Sequence, residues 1–134
     1  MKKYYYASFI YLVLGLIAGV FYRELTKAAG FTGDTVLRGV HTHILVLGCL
    51  FFLIVLLLEK NFGLAHIKGI KAWFVTYQIA LITVVATMMV RGVAEVKGFE
   101  MAGLSHMAGL THALLGIGLV WFMILLGKVV KTEK

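Results

Sequence analysis

Two histidines stand two residues apart in an otherwise apolar run, LRGVHTHILVLGCLFFLIVLLL, residues 37–58. In such a setting an imidazole moves a proton, makes a hydrogen bond, or ligates a metal through a neutral ring nitrogen. His41 and His43 have company: His106 and His112 lie in a second apolar stretch, MAGLSHMAGLTHALLGIG, whereas His66 sits among charges and is expected to be solvated. Ionisable side chains within membrane-length apolar runs are functional by default, because hydrocarbon penalises them.

Spacing limits the chemistry. His41 and His43 stand about 200° apart around a regular helix, and His106 and His112 about 120° apart. Neither pair chelates one ion from one helix, as an i, i+4 zinc pair does. Each histidine is instead half a site, completed by another helix. Cys49 is the only cysteine, so no thiolate cluster or internal disulfide is available. Imidazoles in an apolar shell without cysteine favour haem iron or copper over structural zinc. Arg38 precedes His43 by five residues, a rise of about 7–8 Å. It is either an interfacial anchor or the partner of a carboxylate such as a haem propionate. Met107 is a further candidate for copper, while the other methionines read as packing.

The elements that must carry these residues follow from the charges. They leave four uncharged windows, 4–22, 39–58, 72–90 and 101–127, in a chain of 134 residues that is 61% hydrophobic and has no proline. A helix of roughly 20 residues spans a hydrocarbon core about 30 Å thick. None of the windows alternates with the period of a membrane strand. The expectation is an all-α membrane protein, one four-helix transmembrane domain over 1–134, with approximate spans 4–22, 37–58, 72–90 and 105–127. Lys2 and Lys3 before an apolar run also fit a signal peptide. The run fills a whole span, however, and ends in Tyr22-Arg23 without a small-residue cleavage site, so it is expected to remain as a helix. Gly15 and Gly19 in that first window have the GxxxG spacing of close helix approach.

The net charge of +7 bears on sidedness more than on nucleic acid, which is not an expected partner. Four spans put both termini and the 59–71 loop on one side. That side holds Lys2, Lys3, Lys60, Lys68, Lys71, Lys128, Lys131 and Lys134 against Glu59 and Glu133. The other holds Arg23, Lys27, Arg38, Arg91 and Lys97 against Glu24, Asp34, Glu95 and Glu100. The positive-inside rule then puts both termini in the cytoplasm and gathers the histidines in the external half of the bilayer.

LRGVHTHILVLG resembles the haem-ligating helices of haem–copper oxidase subunit I. In that family one helix carries a His-x-His pair whose members bind two different haems, and His41-Thr42-His43 with Arg38 upstream and Gly48 downstream matches elements of the pattern. The chain as a whole also resembles a family of small, uncharacterised four-helix bacterial membrane proteins. The oxidase subunit has twelve helices in three arcs of four. The resemblance therefore implies a homotrimer in which His41 of one chain and His43 of the next hold a haem. The copper-centre His-His pair and the His-x3-Tyr motif of the oxidases are missing, and no acid lies inside an apolar window. Oxygen reduction with proton pumping is not expected.

The sequence thus points to a b-type haem protein with bis-histidine iron, for electron transfer or redox sensing with an unknown redox partner. His41 and His43 are the first ligands, His112 the alternative partner, His106 the last, and Arg38 the propionate partner. Two rivals stand beside it: a copper or other transition-metal binding or transport protein, and a non-catalytic membrane subunit whose histidines only hydrogen-bond between helices.

Overall fold

A computed structural model describes residues 1–99 and 101–131; Glu100, Glu133 and Lys134, counted in the charge balance above, lie outside them. Four long helices make up the chain: α1 (Lys2–Ala28), α2 (Leu37–Phe62), α3 (Ile70–Lys97) and α4 (Leu104–Val130). All four are long and apolar enough to cross a membrane. The expected spans fall inside them, but every helix runs past its uncharged window. Charge does not end a helix whose backbone bonds continue into the headgroup layer. Backbone geometry does: glycines with positive φ stand at Gly30, Gly63 and Gly98, just beyond α1, α2 and α3.

The helices alternate in direction. Leu37 at the start of α2 lies against Gly92 near the end of α3, and Gly69 before α3 lies near Leu125 at the end of α4. One end of the bundle therefore holds the 29–36 and 98–103 loops and is called here the entry end. The other holds the N-terminus and the 63–69 turn. α1 packs chiefly on α2, and α4 on α3, with α2 and α3 meeting between them.

Without water to expel, helices in a bilayer associate through close packing and internal hydrogen bonds. Both are visible. Trp73, fully buried, donates its indole N–H to the carbonyl of Gly118 on α4 at 2.8 Å. Its ring centre lies 4.7 Å from that of Phe122, within an aromatic cluster that includes Phe51, Phe52, Tyr77 and Tyr4. Tyr5 and Tyr6 are exposed, as an interfacial belt requires, but Tyr4 is buried in this cluster. The entry end is sewn together by Thr35 and Glu95. The Thr35 hydroxyl donates to Gly92 at 3.1 Å, and a Glu95 carboxylate oxygen accepts the Val36 N–H at 2.8 Å. A side chain of α3 thus satisfies an amide at the open start of α2.

One feature of α2 has no sequence signature. Residues Ile44–Leu50, directly after the histidine pair, form a π-helical stretch in which the Phe51 N–H reaches back to Val46. The wider turn leaves carbonyls open to neighbours. Tyr77 of α3 donates to Leu47 at 3.0 Å, and Ser8 of α1 donates to Cys49 at 2.9 Å. Gly48 sits in the middle, with Tyr11 lying across it so closely that an added Cβ would fall 2.4 Å from the Tyr11 ring. In the GxxxG pair the same test gives 2.6 Å to Leu45 at Gly15 but an ordinary 3.8 Å to His41 at Gly19. Gly15 therefore makes the tight α1–α2 approach.

Gly48→Ala is expected to destabilise the fold by about 1–3 kcal/mol, because Tyr11 has to move. Gly19→Ala is expected to change little. Unfolding of both variants in detergent measures the difference, and equal stability would contradict the packing described.

Candidate functional site

α2 splits its two histidines between different neighbours, as their angular separation requires. His41, half-buried, turns toward Gly19 of α1, and its Nδ1 is buried without a hydrogen-bond partner. His43 turns the other way, into the gap between α2 and α4. There its ring centre lies 5.9 Å from that of His112, with the two planes crossing at 86°. Of the expected ligands, the structure brings together His43 and His112 of one chain. His41 stands apart from them on the α1 side of α2. His106 is exposed on α4, about 9 Å nearer the entry end than His112 by helical rise.

Both members of the close pair are anchored in the same way. Nδ1 of His43 lies 2.9 Å from the carbonyl of Gly39, and Nδ1 of His112 lies 2.7 Å from the carbonyl of Ala108. Each carbonyl is four residues back along the same helix. A carbonyl oxygen can only accept, so each Nδ1 carries a proton, and the nitrogen left for another partner on each ring is Nε2. A backbone acceptor on one ring nitrogen, leaving the other free, is the usual support of a metal-ligating histidine. With metal–nitrogen bonds of about 2.0–2.1 Å, two imidazoles on one ion put their ring centres roughly 5 Å apart in a tetrahedral site and roughly 6.3 Å apart when opposed, and the 5.9 Å found here lies between the two.

The surroundings are apolar on one side and open on the other. Met88 is buried beside the pair: a Cβ built on Gly39 would lie 3.3 Å from its methyl carbon and 3.8 Å from Nδ1 of His43. Thr87 and Thr111 share a hydrogen bond of 3.3 Å between α3 and α4, next to His112. His112 itself is exposed, which gives the pair an accessible edge. Among the described residues, no group of three or more His, Cys, Asp or Glu side chains converges on a point. Arg38, expected as a carboxylate partner, is exposed and faces Asp34 at 3.5 Å.

Sequence reasoning took Met88 as packing and passed over Gly39. Gly39 is four residues before His43, so it shares that face of α2, and a glycine there makes room for Met88. The i−4 glycine was the available signal; the approach of α3 was not.

The anchoring has a spectroscopic consequence. In nitrogen-15 spectra of labelled protein, Nδ1 of His43 and of His112 is expected to carry a proton. An unprotonated Nδ1 on either ring would contradict the hydrogen bonds described.

No curated protein and no solved structure matches the chain. A family model does, over residues 1–129, under the description "Protein of unknown function (DUF2871)". This four-helix chain, with its paired imidazoles between α2 and α4, belongs to the DUF2871 family.

Proposed function

We propose that this chain is an integral membrane b-type haem protein, holding its iron in the external half of a bacterial cytoplasmic membrane for electron transfer or redox sensing. The observation that supports this is the His43–His112 pair: two imidazoles, each tied by Nδ1, 5.9 Å apart and without a third His, Cys, Asp or Glu donor among the described residues. A bare ion usually asks a protein for three or four such ligands. A porphyrin brings four nitrogens of its own and asks only for the axial ones. His43 and His112 would hold the haem, which would supply one-electron chemistry, so an enzymatic role is not part of the proposal.

This geometry favours His43 with His112 in one chain over His41 with His43 of neighbouring chains. A homotrimer, by analogy with the twelve-helix oxidase core, stays in the proposal as the assembly. It would cover the side of α4 that carries His112, Gly109 and Gly116, where neither glycine has a neighbour within 4 Å of an added Cβ. Both termini are assigned to the cytoplasm on the lysine-rich balance of their side.

Met88 supports a second reading, copper. A thioether on the His43 side of the imidazole pair is a soft ligand suited to Cu(I). The third reading, histidines that merely tie helices together, loses ground on one point. His43 and His112 spend their Nδ1 protons on their own helices rather than on each other.

Protein purified from haem-replete cells is expected to show a Soret band, with α and β bands on reduction. His43→Ala and His112→Ala are each expected to lose most of the haem, and His41→Ala to keep it. Colourless protein with stoichiometric copper would replace haem by the second reading. Loss on His41→Ala with retention on His112→Ala would restore the pair between chains.

A further inference from the structure

The haem reading leaves open which group meets the negative end of the cofactor, and α3 supplies a candidate that the sequence did not single out. Arg91 is four residues from Thr87 and three from Met88, so the three share one face of α3. Thr87 bonds Thr111 of α4, and Met88 lies against Gly39 of α2. The face that carries Arg91 therefore looks into the gap between α2 and α4, one turn nearer the entry end than the side chains around His43 and His112. Its height follows independently from Gly92, the next residue, whose added Cβ would fall 2.6 Å from the Leu37 backbone. Arg91 thus stands level with Arg38, five residues toward the entry end from His43. Arg38 lies about 140° around α2 from His43. It is also drawn to Asp34 on the exposed surface.

Glu95 fixes Arg91 in this position. One carboxylate oxygen accepts the Arg91 Nε–H at 3.0 Å, and the other accepts the Val36 N–H at 2.8 Å. The ion pair uses Nε, so the two terminal amino groups of Arg91 remain outside it. The guanidinium is partly exposed and borders a groove of about 300 Å³ lined also by Ala94, Glu95, Phe99, Met101, Leu104 and Ser105. A guanidinium fork, pre-positioned through one nitrogen above an apolar site, is matched to a carboxylate.

We infer that Arg91, held by Glu95, binds a carboxylate of the cofactor seated on His43 and His112, and makes the site selective for a tetrapyrrole with free propionates. This rests on the haem reading above, and the test separates the two. Protein from haem-depleted cells, in detergent, is titrated with haemin and with haemin dimethyl ester, whose carboxylates are blocked. Wild type is expected to bind haemin about tenfold more tightly than the ester, the worth of one charge-assisted hydrogen-bond pair. Arg91→Leu is expected to bring the two affinities within about twofold, through weaker haemin binding, Arg91→Lys to keep part of the preference, and Arg38→Leu to keep it all. Should Arg91→Leu fail to fold, Glu95→Gln, which can still accept from Val36, serves in its place and is expected to reduce the preference severalfold. Equal wild-type affinities, or an undiminished preference in Arg91→Leu or Glu95→Gln, would overturn the inference and leave the haem reading standing. A wild type that binds neither compound would overturn both.

Discussion

Hydrocarbon offers no hydrogen-bond partner, so a polar group inside a membrane bundle must be satisfied by the protein itself. Much of this structure follows from that constraint. The Trp73 indole finds Gly118, the Tyr77 hydroxyl finds Leu47, the Ser8 hydroxyl finds Cys49, and the Tyr11 hydroxyl finds Gln78. Each bond ties one helix to another and fixes its rotation. His43 and His112 obey the same rule by another route, returning Nδ1 protons to carbonyls of their own helices, whereas the buried Nδ1 of His41 has no such partner. What is left over is Nε2 of His43 and of His112, both in one gap, and this remainder gives the pair its chemical character.

Glycine and the π-helical stretch make the arrangement sterically possible. Gly15 admits Leu45, Gly48 admits Tyr11, and Gly92 admits the backbone of Leu37. These contacts hold α1 to α2 and α2 to α3 without a large apolar driving force between them. The wide turn of Ile44–Leu50 lies between the histidine pair and the aromatic half of the bundle. Because an expanded turn shifts the faces beyond it, His43 can look toward α4 while Phe51, further along, still packs on Tyr77 and Phe122.

The four helices were legible in the sequence because charge is costly in hydrocarbon, and the divergence of His41 and His43 because 3.6 residues make a turn. The partner of each was not legible. That depends on how far α4 rotates, which is set by pairs distant in sequence such as Thr87 with Thr111 and Trp73 with Gly118. The same holds for Tyr4, one of three adjacent tyrosines, which joins the core while Tyr5 and Tyr6 face outward. In the sequence Arg91 enters only the charge balance, and the cross-helix contacts of Thr87 and Met88 show which gap it overlooks.

The central claim is that His43 and His112 of one chain act together on one ligand. Electron paramagnetic resonance of the oxidised protein tests it most directly, because two axial imidazoles force ferric haem iron into the low-spin state. The account expects a low-spin signal in wild type that is lost in His112→Ala, where the little haem retained gives a high-spin signal. A low-spin signal undiminished in His112→Ala, or no haem iron signal in wild type, would contradict it.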